Sequence, residues 1–338
     1  MAVTGKYYPR WDGHSTEKLD KFRMNQEYEV GDDRRYPIRA KFPFQVLVSF
    51  GRRRSTPENH LRINDNEGIA NCIDKLQTKQ LLSDQEIAVV RPFAKFSQFV
   101  NEQEKHFDVE AFEQYFTLPV LAKKIKGSRG EGMCLIKSLN DLAAFIQAIN
   151  ARGSMNKHEF YSYFFETAIS VAREFRLHVS PLLVNHSVTY QFEYCPPNGQ
   201  GQFVRQDRPR LEHNSDGLIF AIEKSLPADL NDFDPDNLTM TSSFRKPANW
   251  QEIVETAVAA VEAIGLDFGA VDMLLDADGN YFVSEINSNP EFSTHPNNPC
   301  ESLELQAYQQ AMKHIILNKA QKVGGIFEGV RGPLALNL

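Results

Sequence analysis

Apolar and polar positions first fall into a regular pattern at Phe44-Gln-Val-Leu-Val-Ser-Phe50, a short apolar run ended by Gly51, which predicts a strand. Residues 1–40 are polar with scattered aromatics and hold no sustained period, so they predict no element. Beyond the basic turn Arg52-Arg53-Arg54, the polar triplet Asn64, Asp65 and Asn66 marks a helix start. Ile69, Cys72, Ile73 and Leu76 then recur at helical spacing, with Lys75 and Lys79 flanking the stripe, and the pattern predicts one helix.

Residues 101–116 form a polar excursion with helical character, before the apolar strand at 118–123. A glycine-rich stretch follows, then a return strand at 133–136 and a helix carrying Leu142, Phe145, Ile146 and Ile149, closed by Gly153. Strands are predicted at 161–165, 174–179 and 182–194, with a turn at 196–201 and a loop over 227–247. Asn249 with Glu252 resembles a capping box for a helix ending near Gly265. A hairpin follows, and a final helix over 302–319 directs Leu303, Ala307, Ala311, Ile315 and Leu317 to a core. Strands and helices mix without an internal repeat, which predicts an α+β chain.

Composition narrows the function classes. A chain of 338 residues, 42% apolar, can bury two or three packed subdomains. A net charge of -7, with 37 basic residues scattered among 44 acidic ones, predicts neither a nucleic-acid footprint nor an anionic-membrane surface. No apolar run approaches the roughly 18 to 20 residues of a membrane span, and the first residues hold no signal-peptide core, so the expected location is cytoplasmic. Cys72, Cys134, Cys195 and Cys300 lie far apart without metal spacing and are expected to be reduced, mostly buried thiols.

The hairpin carries the strongest chemistry. Asp278-Gly279 is a two-residue turn signal between two β-prone runs. Counting outward from it sets Asp272 opposite Glu285, with Asn287 on the same face two residues on. Paired carboxylates repel unless a cation lies between them, and Mg2+ takes oxygen ligands of this kind. The alternative is a solvated hairpin face, although Val271, Leu274, Val283 and Ile286 predict burial around it. Asp276 and Asp278 are assigned to the turn.

Upstream, Lys123-Lys-Ile-Lys-Gly127-Ser128-Arg129-Gly130-Glu131-Gly132 follows a strand directly. Its bare amides suit phosphate oxygens and its lysines supply charge, while a solvated basic turn is the alternative. It has neither the Walker ending nor the dinucleotide-binding pattern.

Together these motifs, over residues 64–292, resemble the ATP-grasp superfamily. The resemblance implies two α+β subdomains clasping ATP behind a short N-terminal region. It divides the chain into 1–83, a lid subdomain with the glycine loop at 84–166, and a subdomain with the metal hairpin at 167–338. It also implies roles: Lys75, with Lys79 as competitor, and Lys123 near the phosphates; Gly127, Ser128, Arg129, Gly130 and Gly132 covering ATP; Glu166, Thr167 and Ile169 in the linker whose backbone meets adenine. Glu174 is the implied ribose contact and Arg176 the arginine beside the transferred group, with Asp272, Glu285 and Asn287 matching the metal ligands. Phe50-Gly51-Arg52-Arg53 before Arg62-Ile-Asn64 looks somewhat like phage-encoded members.

Arg208, Arg210, His213 and Asn214 occupy the segment where many ATP-grasp ligases meet the acyl substrate, and Arg210 is preferred because arginine grips a carboxylate through two hydrogen bonds. A solvated surface loop is the alternative. Arg52, Arg53 and Arg54 read as a solvated turn before an acidic-substrate site. The resulting expectation is an ATP-dependent carboxylate–amine ligase using Mg2+, with Mn2+ as substitute. Its partners would be small-molecule carboxylate and amine substrates such as amino acids or peptides. A kinase of the same fold and a non-catalytic nucleotide-binding module are the rival readings.

Overall fold

The first apolar run forms β1 (Gln45–Val48), which pairs in parallel with β2 (His60–Ile63). The structure, a computed structural model, describes residues 45–48, 60–101, 106–127, 132–152, 162–185, 187–190, 193–194, 206–207, 211–214, 216–224, 240–241, 244–289 and 301–323. The expected turn at 196–201, Gly153, Cys195 and Cys300 lie outside the described residues.

The single helix expected after Asn64 is two, α1 (Asn66–Ile73) and α2 (Lys75–Asp84). Asp74 between them is extended (φ -95°, ψ 98°), and its side chain accepts from Gln77 N to cap α2. Aspartate is a poor interior helix residue and a good N-cap, so the local cap outweighs the continuing apolar stripe. Asn64 precedes the helix rather than starting it. At φ +61° and fully buried, it accepts from Asp267 N and Phe268 N, while its own N donates to the Asp267 carboxylate.

α1 packs against backbone. A Cβ on Gly68 would lie 2.3 Å from Gly265 O, a contact that no rotamer change relieves. Gly68→Ala is therefore expected to cost about 1–3 kcal/mol or more through overpacking. A thermal melt at the wild-type midpoint would show instead that α1 can shift outward freely.

The first sheet comes from residues 93–167. β3 (Phe93–Lys95) leads to the short antiparallel pair β4 (Val100–Asn101) and β5 (His106–Phe107) and then α3 (Val109–Tyr115). Among the described residues of the polar excursion only its end is helical, capped by Asp108 accepting from Ala111 N. β6 (Val120–Lys124), β7 (Cys134–Ile136), α4 (Leu139–Arg152) and β8 (Tyr163–Thr167) complete the unit. The sheet is antiparallel in the order β3-β8-β6-β7. One face rests on an aromatic core in which Phe165 lies 5.1 Å from Phe112 and 5.5 Å from Phe96, ring to ring. Offset and edge contacts of this kind strengthen the packing beyond simple area burial.

Residues 168–170 carry the chain into β9 (Val171–Val179). The long strand expected over 182–194 is interrupted: Ser180 Oγ accepts from Leu182 N, residues 181–183 form a 3-10 turn, and Asn185 takes φ +61°. Pro181 lacks the amide proton that a strand ladder needs, which favours the turn. Strand structure resumes at β10 (Ser187–Tyr190) and β11 (Glu193–Tyr194), which pair with β13 (Leu211–Asn214) and β12 (Gln206–Asp207) respectively.

β14 (Leu218–Lys224), β15 (Met240–Thr241), α5 (Trp250–Ala263), β16 (Gly269–Asp276), β17 (Tyr281–Asn287) and α6 (Glu301–Val323) follow. The second sheet is antiparallel, ordered β15-β14-β9-β16-β17. Phe175, Leu177, Val271, Met273 and Val283 direct one face onto Trp250, Ile253, Val254 and Ala257 of α5. Strand alternation sends the intervening residues to the other face, where the polar groups gather. The expected capping box does not form, because Asn249 makes no side-chain cap and instead donates to Gly279 O at 3.0 Å, tying α5 to the hairpin turn. Ala307, Ala311 and Ile315 of α6 are buried as expected, and Lys319 Nζ lies 2.8 Å from Asp267. Among the described residues no helix is long and apolar enough to cross a membrane.

Candidate active site

Asp272 and Glu285 are direct cross-strand partners, but the route to that pairing differs from the expected one. Leu275 pairs with Tyr281, and Asp276 N donates to Asn280 O, so Ala277, Asp278 and Gly279 form a three-residue loop. Asp276 Oδ1 accepts from the amides of both Asp278 and Asn280, and Gly279 takes φ +87°. The longer loop moves the register by one residue. Left alone, that slip would turn Glu285 to the wrong face. A bulge corrects it: Met273 pairs with Val283 and Asp272 with Glu285, leaving Ser284 as the extra residue. Asn287, opposite Ala270, then falls on the same face.

The central strand β9 supplies the next layer. Arg176 is the cross-strand partner of Asp272 and holds it through two hydrogen bonds, Nε to Oδ1 at 2.8 Å and Nη2 to Oδ2 at 2.9 Å. From β14, Lys224 Nζ reaches Asp272 at 2.9 Å and also pairs with Glu174. From α2, Lys75 Nζ lies 3.1 Å from Glu285. Lys79 Nζ lies 2.8 Å from Glu166, which Lys123 of β6 also contacts. Both partners of the Lys79–Glu166 pair are buried. Among the described residues, five cations therefore meet four carboxylates in three ion-pair groups, giving a formal surplus of one positive charge.

Burial makes these charges consequential. Glu166 is only 2% exposed, and burial pushes its carboxyl up, but Lys123 and Lys79 more than offset this and leave its pKa at about 2 against the ordinary 4.5. Lys79 moves down from its ordinary value because burial outweighs its attraction to Glu166, with Lys123 adding repulsion. One carboxylate serves two ammonium groups, so it gains more from the arrangement than Lys79 does. Burial likewise raises Asp272, yet Arg176 and Lys224 hold it well below the usual carboxylate range. Arg176 stays protonated, since Asp272 overcomes its own desolvation.

The depressed Glu166 carboxyl stabilises the folded state above the unfolded value near 4.5, and that contribution fades as pH falls toward about 2. Its full size is roughly 3 kcal/mol. Urea midpoints of the wild type are expected to rise steeply from pH 3 to pH 5, and more shallowly in Glu166→Gln. Equal slopes would remove Glu166 as the source.

Of the expected site residues, Lys75, Lys79, Lys123, Glu166, Glu174, Arg176, Asp272 and Glu285 are engaged in ion pairs, and Asn287 shares the face by register. Glu166 and Thr167 belong to β8 rather than to a linker, and the connection containing Ile169 is residues 168–170. Gly127 and Gly132 flank the glycine loop, and a side chain on Gly132, at φ +72°, would meet Tyr163 Oη at 2.7 Å. Ser128, Arg129, Gly130 and Glu131 lie outside the described residues, as do Arg52, Arg53, Arg54, Arg208 and Arg210. His213 and Asn214 are in β13. Lys224 is the site residue that sequence reading missed; it ends the strand that the apolar run 218–222 marks, but that run assigns the lysine no partner.

Among the described residues no group of three or more His, Cys, Asp or Glu could hold a metal. Two carboxylates and an amide remain, and this donor set fits Mg2+, which takes one or two protein carboxylates and completes its shell with water and phosphate oxygens. The surplus positive charge suits an anionic ligand such as a polyphosphate.

The chain has the ATP-grasp fold. The VanG D-Ala:D-Ser ligase of Enterococcus faecalis matches 80% of this chain and 72% of its own at a TM-score of 0.52 and 16% identity. The D-alanine–D-alanine ligase of Bacillus anthracis covers 77% and 71% at 0.49 and 13%. The ATP-grasp ligase PsnB covers 74% and 64% at 0.43 and 17%. No protein-family model and no curated protein matches the sequence.

Proposed function

We propose that this protein is an ATP-dependent ligase that activates a substrate carboxylate for attack by an amine of an amino acid or peptide. The observation that carries this reading is the single charged face on which Asp272 and Glu285 oppose each other beneath Arg176, Lys224 and Lys75. A regulatory binder has little need to oppose two carboxylates in this way. The similar Enterococcus faecalis structure is named a ligase, which agrees with the reading.

In the proposed reaction the γ-phosphoryl group passes from ATP to the carboxylate, giving an acyl phosphate and ADP, and the amine then displaces phosphate. Mg2+, or Mn2+ in its place, would be held by Asp272, Glu285 and Asn287 and would neutralise phosphate charge. Lys75 and Lys224 neighbour these acids and are placed to exchange a carboxylate partner for a phosphate oxygen. Arg176 is aligned beside them by its two hydrogen bonds to Asp272, fixing a positive charge where the transferred group develops negative charge. Lys123, Gly127 and Gly132 border the glycine loop, whose Ser128, Arg129 and Gly130 are proposed to cover the nucleotide. Thr167 and Ile169 are proposed to meet adenine, Glu174 the ribose, and Arg210 the acyl substrate.

A panel of amino acids and small peptides, scored for ADP release and then product mass, is the direct experiment. A condensed product lighter than its two substrates by one water is expected. A phosphorylated acceptor without condensation would make the protein a kinase, and ATP binding without turnover across the panel would make it a binding module.

A further inference from the structure

Among the described residues β17 ends its sheet, and the backbone groups on its outer edge face no sixth strand. Residues 72–89 meet them instead. Val283 N donates to Ala88 O at 2.8 Å. Farther along, Cys72 Sγ donates to Ile286 O at 2.9 Å and accepts from Ser288 N at 3.2 Å. In an extended chain, residues two apart send their backbone groups to the same side, so Ile286 O and Ser288 N form the gap that one residue of a neighbouring strand would fill. A single thiol fills it with both donor and acceptor. Between them stands Asn287, paired inward with Ala270. One residue before Ile286, the Glu285 side chain is met by Lys75, only three positions after Cys72.

We propose that Cys72 is a positioning residue for the oxygen donors of Glu285 and Asn287, replacing a missing strand so that the β17 backbone is held from both edges at the metal-binding end. The inference rests on the metal reading made under Proposed function. The support itself is firm: α1 is pinned by the Gly68 approach to Gly265 and by Asn71 Nδ2 donating to Ile264 O at 3.2 Å. Cys72 is 7% exposed, which keeps water from competing for the same backbone groups. Its role is geometric, with no chemistry at sulfur.

The experiment compares Cys72→Val, which keeps the bulk and removes both hydrogen bonds, with Cys72→Ser, which keeps both bonds. Mn2+ is titrated into each variant with a non-hydrolysable ATP analogue, and free Mn2+ is read by electron paramagnetic resonance. Loss of an orienting partner beyond the ligands weakens metal binding by about tenfold or more. Cys72→Val is expected to show that loss, with Cys72→Ser close to wild type. Ile253→Val, in the α5 core, controls for general loss of packing and is expected to bind Mn2+ normally. Wild-type affinity in Cys72→Val, or equal weakening in all three variants, overturns the proposal. Glu285→Gln and Asn287→Ala separate the two levels: if both weaken Mn2+ binding and Cys72→Val does not, positioning alone fails. If neither weakens it, the metal reading fails and the positioning role falls with it.

Discussion

Glu285→Gln is expected to lower ADP release by roughly 10²- to 10³-fold, the usual loss when one preorganised electrostatic contact to a transition state is removed. The substitution keeps the size of the side chain and an oxygen donor but deletes the charge that pairs with Lys75 and that a metal ion requires. The fold should tolerate it. The Lys75–Glu285 pair is partly solvated, with Glu285 31% exposed, and such pairs contribute about 0–1 kcal/mol. Turnover with the best substrate pair from the panel and the urea midpoint should therefore separate cleanly. Full activity in the variant would remove Glu285 from the proposed metal site.

Asp272→Ala is expected to damage stability and turnover together. Asp272 lies deep in the face, 7% exposed, with Arg176 and Lys224 both directed at it. Removing the shared anion leaves two cations facing each other out of water, and breaking a buried pair in this way costs about 3–5 kcal/mol. Lys224 retains Glu174, which places the expectation toward the lower end of that range. A double-mutant cycle with Arg176→Met locates the effect: the arginine change should cost less in the Asp272→Ala background than in wild type. Additive losses would show that the two residues act independently and that the paired hydrogen bonds are not the source.

Much of the chemistry could be read from residue order. The strand at 120–124, the glycines after it, the acids of the hairpin and the paired lysines of α2 are local patterns, set by alternation, turn residues and helical spacing. Other features could not be read so. Lys224 sits in a strand paired with β9, from a distant part of the chain, and its two acidic partners are 50 and 48 residues away. The family resemblance put Glu166 in a linker, yet β3 and β6 on either side extend the ladder through it. Asn249 had a capping sequence, and the neighbouring Gly279 carbonyl drew its amide away.

The hairpin separates the two contributions most clearly. Sequence by itself determined that β16 and β17 would pair, because alternating apolar runs on either side of an Asp-Gly turn have few other favourable arrangements. It also determined that two acids and an asparagine would lie near one another. The register was decided only in the folded chain. Asp276 captured two amides and lengthened the loop, and the Ser284 bulge returned Glu285 to Asp272. A bulge is stabilised by what lies on both sides of a strand. Here those neighbours are Arg176 inward, the Ala88 and Cys72 contacts outward, and the α5 core beneath, all too distant in sequence for any local pattern to record.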